Sequence, residues 1–345
     1  MNQEFLGALT EIVKEKGISE EELLEVLDEA IIAAYKKNYS SQAQNVKIRR
    51  DLKKGTIKVY AEKEVVEEVY DDSTEISLDE AKEIDPRFQL EDKVDIEVTP
   101  KNFGRVAAQL AKQMVIQKIK ESERSIIYNE FAEKEHDIIV GTVLRKDKGN
   151  AFVDLGKIEA ILGPNEQMPG ENYNFNEMLK LYIVEVKDTT KGPQVLVSRT
   201  HPGLVKRLFE LEVPEIYEGV VEVKSIAREA GSRTKIAVHS NDESVDPMGA
   251  CVGPKGVRVQ NIVNELKNEK IDIIKWSKDP EEYIANALSP AKVLDVNVNE
   301  ESKSAQVVVE DSQLSLAIGK EGQNVRLAAK LTGWKIDIKS KSQAE

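Results

Sequence analysis

The sequence predicts a multidomain α+β protein: an α+β head with a long connector helix, a five-stranded barrel, and a helix–loop–helix–strand unit that occurs twice. Three observations carry this. A Gly-x-x-Gly loop stands at Gly253-Pro254-Lys255-Gly256 and again sixty-six residues on (319 − 253) at Gly319-Lys320-Glu321-Gly322, with matched flanks; a repeat of that period is domain-sized. Five short β-like stretches, separated by Gly and Pro, fall between residues 136 and 200. From Phe103 to Glu135 there is no proline and the only glycine is Gly104, which suits one or two long helices. The segments are read as 1–135, 136–200, 201–277 and 278–345.

In the head, Phe5, Leu6, Leu9, Ile12 and Val13 mark one helix. Ser19-Glu20-Glu21-Glu22 is a capping box that opens a second, with Leu23, Leu27, Ile31 and Ala34 on one face. Val46 to Arg50 and Thr56 to Tyr60 flank Lys53-Lys54-Gly55 as a hairpin, and Glu62 to Tyr70 and Val94 to Val98 alternate as further strands.

The next stretches are Ile138 to Val143, Ala151 to Leu155, Glu159 to Leu162, Leu181 to Lys187 and Val195 to Ser198. Five strands in about 65 residues suit an OB barrel. Such barrels hold single strands by stacking bases on aromatics and following phosphates with Lys and Arg. Phe152 is either that platform or a core residue, since Ala151 and Val153 leave its side undecided. Arg145, Lys146, Lys148 and Arg199 are candidate phosphate contacts, with Arg199 expected on the surface at the strand end before His201-Pro202-Gly203.

After the first loop, Val257, Val259, Ile262, Val263 and Leu266 recur at helical spacing before the strand Lys270-Ile271-Asp272-Ile273. After the second, Val325, Leu327, Ala328 and Leu331 precede Lys335-Ile336-Asp337-Ile338. Upstream, each copy has a β-like stretch (Lys235 to His239, Ala305 to Val309) and a short apolar helix ending in Ala250-Cys251-Val252 or Leu316-Ala317-Ile318. Two glycines two residues apart let the backbone approach a sugar-phosphate chain, with amide N–H groups and a helix N-terminus facing it.

Helix, Gly-x-x-Gly, helix and strand in this order resemble the KH domain, here two prokaryotic-type copies in tandem; two packed helix-turn-helix units without a ligand are the alternative. The resemblance implies single-stranded RNA as ligand. Gly253, Pro254, Lys255 and Gly256, and Gly319, Lys320 and Gly322, would hold backbone, with Lys255 and Lys320 neutralising phosphate and Val252 or Ile318 lining a groove for bases. Arg258, Asn324 and Arg326 either reach phosphates or base edges or form a solvated helix face. Glu321 is unfavourable beside phosphate and should weaken the second loop relative to the first, which is read as carrying Pro254 at that level. Thr200 to Gly203 and Ser277 to Pro280 are short connections, so barrel and KH units are expected as a rigid array whose sites reinforce one another.

The run Phe103-Gly104-Arg105-Val106-Ala107-Ala108-Gln109, through Ala111-Lys112-Gln113 to Lys118-Ile119-Lys120-Glu121-Ser122-Glu123-Arg124, closely resembles one in the bacterial NusA family. Asp246-Pro247-Met248-Gly249-Ala250-Cys251-Val252-Gly253 and Asn286-Ala287-Leu288-Ser289-Pro290-Ala291 resemble the same family, in its order. The resemblance implies a first domain that contacts core RNA polymerase near the RNA exit channel, followed by one RNA surface of barrel and KH domains. It also implies a role in pausing, termination and antitermination, with NusB-, NusE- and NusG-type partners and a monomeric chain. Some relatives carry acidic repeats after the second KH domain; none precedes Glu345 here, and functions of those repeats lie outside the expectation.

The net charge of −13 is concentrated in front: residues 1–135 hold 21 Lys+Arg against 30 Asp+Glu (−9), residues 136–200 hold 8 against 9 (−1), and residues 201–345 hold 20 against 23 (−3). An acidic front suits a protein partner and later local basic patches suit RNA, although acidity also simply aids solubility. No long apolar run or N-terminal signal appears, and the single Cys251 excludes an internal disulfide framework, so a cytoplasmic location is expected. Cys251 reads as a small buried apolar residue ahead of a reactive thiol. His136, His201 and His239 stand alone, and no zinc or phosphate-loop pattern is present, so no enzyme, metal or cofactor is expected. The rival is an RNA-degrading enzyme of the phosphorolytic type, whose KH and barrel modules follow catalytic domains in the opposite order; a ribosomal subunit component is a third reading.

Overall fold

The computed structural model describes residues 20–39, 45–51, 56–100 and 103–344, and divides into two compact units at Ile126/Ile127. In the first unit, α1 (Glu20–Tyr39) starts inside the expected capping box; the helix expected before it and the Lys53–Gly55 turn lie outside the described residues. β1 (Asn45–Asp51) pairs antiparallel with β2 (Thr56–Val66), which also pairs antiparallel with β4 (Lys93–Glu97) and parallel with β3 (Glu75–Ser77). The stretches expected as two strands, Thr56 to Tyr60 and Glu62 to Tyr70, are one strand ending at Val66, because no Gly or Pro interrupts the run between them. β3 and the short α2 (Leu78–Ile84), capped by Ser77, lie outside the expected elements, since three and seven residues are too few to show a period. Ile31 and Tyr35 of α1 are buried with Val46 and Val59 of the sheet.

The second unit takes in the end of α3 (Phe103–Ala132), a single helix over most of the proline-free run. Phe131 is buried in the barrel core beside Leu181 and Val197, so the helix end plugs into the barrel. β5 (Ile138–Asp147), β6 (Asn150–Asp154), β7 (Glu159–Leu162), β8 (Met178–Thr189) and β9 (Gly192–Ser198) close in the order β5-β6-β7-β9-β8, the OB barrel the strand count suggested.

The two repeats follow. The first is α4 (Pro202–Glu212), α5 (Pro214–Tyr217), β10 (Val221–Glu229), β11 (Arg233–Ser240), α6 (Pro247–Val252), α7 (Val257–Glu265) and β12 (Lys270–Lys275). The second is α8 (Pro280–Ala287), β13 (Val293–Asn299), β14 (Ser304–Val309), α9 (Leu314–Ile318), α10 (Gln323–Thr332) and β15 (Lys335–Ser340), with α11 (Lys341–Ala344) after it. Each sheet has one antiparallel and one parallel pairing, β10-β11-β12 and β13-β14-β15.

Alternation along the strands gives the first KH sheet two apolar faces. Ile236 and Val238 pack with Leu204, Leu208, Cys251 and Ile262 of its own helices, and with Met168 and Tyr182 of the barrel. Ala227, Ala237 and Ile274 pack on the other side with Tyr283, Leu288, Leu327 and Leu331 of the second KH unit. Fully burying a Leu or Ile side chain is worth about 1.5–3 kcal/mol, so shared cores hold barrel and KH units together far more firmly than the short connections alone.

Candidate nucleic-acid interface

The two Gly-x-x-Gly loops have the same backbone. Gly253 and Gly319 lie at φ/ψ 72°/174° and 79°/169°, a region essentially closed to residues with a Cβ. Gly256 and Gly322 are left-handed at 75°/14° and 72°/15° and lead straight into α7 and α10. A Cβ at Gly256 would meet nothing within 4 Å, and one at Gly322 only Val325 at 4.0 Å. The space beside the second glycine, at a helix N-terminus, is therefore open to a ligand.

The first glycines are constrained from inside. A Cβ at Gly253 would fall 2.6 Å from Arg258 Cγ, and one at Gly319 would fall 2.7 Å from the Asn324 backbone nitrogen. Arg258 and Asn324 thus occupy the same place, and both fasten the helix before the loop. Arg258 Nη1 donates to the Ala250 carbonyl at 2.7 Å and to Glu215 at 2.9 Å. Asn324 Nδ2 donates to the carbonyls of Ala317 at 3.0 Å and Leu288 at 2.9 Å, and its side chain is buried. The expectation that Asn324 reaches phosphate or base edges is corrected, since it is buried and satisfies orphan carbonyls at a helix C-terminus; Arg258, 25% exposed, gives its Nη1 to the same task. Asp246, capping α6 through the amides of Met248 and Gly249, completes the support of the first loop.

At the apex, Lys255 (φ 54°, ψ 23°) superposes on Glu321 (φ 53°, ψ 29°), and Pro254 on Lys320. Setting Glu321 against Pro254 is therefore wrong by one position. Both apex side chains and Lys320 are exposed, and Val252 and Ile318 are each 37% exposed beside their loops. The asymmetry is sharper than expected, an ammonium against a carboxylate at one point. Arg326 is exposed on α10 and donates to Glu229 of the first KH unit at 2.6 Å.

On the barrel, Ala151 and Val153 are fully buried and Phe152 between them is half-buried, which places Phe152 on the outer wall. The Arg145 guanidinium lies 4.1 Å from its ring centroid and also pairs with Glu159 at 2.7 Å. Lys146 turns the other way, its Nζ 5.2 Å from the Tyr173 ring, and Lys148 sits exposed in the β5–β6 turn at φ 48°.

Arg199 contradicts its expected exposure. Its side chain is 0% exposed, paired with Glu171 and with Glu265 of α7 at 3.0 Å, and it donates to the carbonyls of Lys180 and Glu265. It is an interior tie between barrel and first KH unit, because a strand end facing a packed neighbour is not a surface. A second tie is Lys235, fully buried, which donates to Asp272 at 3.0 Å and to the Ser289 carbonyl of the second KH unit at 2.7 Å.

Between the KH units runs a cleft of about 530 Å³, lined by Met248, Ile273 and Lys275 from the first and by Asn286, Pro290 and Lys292 from the second. Lys275, Lys292 and Glu229 escaped the sequence reading; only juxtaposition across the interface marks them. Burial pushes the Cys251 thiol up to about 12, so it is a neutral core group. Among the described residues no cluster suited to a metal ion occurs, and no helix is long and apolar enough to cross a membrane.

Comparison with known proteins agrees with this order of parts. Family models match a NusA N-terminal domain at residues 4–125, an S1 RNA binding domain at 133–198, a NusA-like first KH domain at 199–276 and a NusA-like second KH domain at 280–345. The transcription termination/antitermination protein NusA of Halalkalibacterium halodurans is 63% identical over 345 residues, covering 100% of this chain and 90% of that protein. The protein of the same name from Bacillus subtilis is 61% identical, covering 100% and 92%, and that from Thermus thermophilus is 46% identical, covering 97% and 89%. The chain belongs to the NusA family, and it is a non-enzymatic transcription termination/antitermination factor that joins a NusA N-terminal domain to an S1 RNA binding domain and two KH domains.

Proposed function

We propose that this chain regulates transcript elongation by holding core RNA polymerase through its acidic head, residues 1–135, and nascent single-stranded RNA along residues 136–345. It acts as a monomer in the cytoplasm, modulating pausing, termination and antitermination, and antitermination partners of the NusB, NusE and NusG type join it. The observation that carries the RNA reading is the pair of superposable Gly-x-x-Gly loops, each opening a helix, exposed on modules that share cores. Backbone would lie against Gly256 and Gly322, with Lys255 and Lys320 at phosphate. Bases from the first loop would enter the cleft that Lys275 and Lys292 flank. On the barrel, the Phe152 ring is covered by Arg145, so a base would stack on the guanidinium plane with the ring beneath it.

The test is a pair of variants assayed for both ligands. Lys255→Asp with Lys320→Asp should abolish binding of labelled single-stranded RNA and keep core polymerase in a pull-down, whereas removal of residues 1–125 should do the reverse. RNA affinity unchanged in the double variant would refute the loop assignment.

A further inference from the structure

The two loops place their positive charge differently. In the first it stands at the apex, on Lys255; in the second the apex is Glu321, Lys320 stands one residue before it, and a further cation is Arg326, four residues past the second glycine (326 − 322). The first unit has Gln260 at that place (260 − 256). Arg326 is oriented from two sides: Nε donates to Glu229 Oε1 at 2.6 Å, and Nη1 donates to the Glu321 carbonyl at 3.1 Å. Its Nη2 has no acceptor among the described residues, and the side chain is 47% exposed. The other Glu229 oxygen accepts from Gln323 Nε2 at 2.8 Å, which also donates to Ser232 Oγ at 2.7 Å. The carboxylate that aims the arginine of the second loop thus belongs to the first KH unit.

The β10–β11 turn that follows Glu229 is itself fixed. Buried Glu269 accepts from Arg228 at 2.9 Å and from the Gly231 amide at 2.9 Å. Arg228 donates to the His201 carbonyl at 2.9 Å, and Gly231, at φ 74°, packs so closely that a Cβ would lie 2.9 Å from the Pro169 carbonyl of the barrel. The position of Glu229 is therefore set by the barrel and the first KH unit together.

We propose that the second RNA loop is a composite site in which Arg326, oriented by Glu229, presents its open Nη2 edge to an RNA phosphate and, beside Lys320, supplies the directed positive charge that the Glu321 apex lacks. This rests on the RNA reading above. Glu229 is a positioning residue: it touches no RNA, and it fixes a planar fork whose directed hydrogen bonds are stronger than those of a free cation. The carboxylate also partly neutralises the arginine, so the two roles predict opposite signs.

The experiment is a mutant cycle on the full chain, read by fluorescence anisotropy of a labelled random-sequence single-stranded RNA. Arg326→Ala and Glu229→Ala should each weaken binding by about tenfold, the scale of one charge-assisted hydrogen bond. The double variant should be no weaker than either, while Lys255→Ala should weaken wild type and Glu229→Ala by the same factor, which also shows that the latter is folded. Arg326→Lys should not restore binding. Tighter binding by Glu229→Ala would make the carboxylate a mask, and an unchanged Arg326→Ala effect in that background would remove its positioning role; either overturns the proposal alone. RNA binding that ignores Lys255→Asp with Lys320→Asp would sink both this and the reading beneath it.

Discussion

Gly253 and Gly319 differ from Gly256 and Gly322 in what replaces them. A left-handed residue with a Cβ costs about 1–2 kcal/mol, and Gly256→Ala should lower stability by about that much because its Cβ enters open space. Gly253→Ala adds a clash with the flexible Arg258 side chain, whereas Gly319→Ala meets backbone at Asn324, which cannot swing aside. Thermal unfolding should rank the losses Gly319→Ala, then Gly253→Ala, then Gly256→Ala; equal losses would refute the packing argument. Cys251 offers a second check. Its folded thiol pKa is raised, so it stays protonated at neutral and mildly alkaline pH, and a thiol reagent at pH 8 should label it only after denaturation. At this scale the two loops were legible because the positive φ of their glycines is a property of local backbone. Arg199, Arg258 and Asn324 were not, since a polar side chain looks the same in sequence whether it meets phosphate or an orphan carbonyl across a junction.

Among the elements, the strands and helices of the barrel and repeats were readable from period and spacing, and the departures are local. β2 absorbed two expected strands, and β3 with α2 are too short to show a pattern. What joins elements was invisible. Arg199→Ala would leave Glu171, 3% exposed, as a buried unpaired charge, a loss of about 3–5 kcal/mol. Chemical denaturation should show the barrel and first KH unit unfolding in separate steps in that variant and together in wild type. In the head, Lys47 and then Lys93 hold the Glu62 carboxyl down to about 2. A lowered folded pKa contributes stability above the ordinary carboxylate range and loses it as pH falls toward 2. Carboxyl NMR titration should therefore find Glu62 ionised at pH 3, and Lys47→Ala should raise its midpoint.

Across the whole molecule, the proposed RNA reading has fixed spacing turn weak loops into one site, since contacts after the first are effectively intramolecular. A chain of net charge −13 binds a polyanion only through local cations, so the salt slope of RNA binding should be shallow and flatten further when loop cations are removed. The duplicated motif pointed to RNA before any geometry, and the geometry then separated the copies: an apex ammonium in one, an apex carboxylate with a braced arginine in the other. The most direct measurement is the affinity of the full chain carrying Lys255→Asp and Lys320→Asp for single-stranded RNA, with core polymerase pull-down alongside. The account expects RNA binding to vanish and polymerase binding to stay; RNA affinity equal to wild type would contradict it.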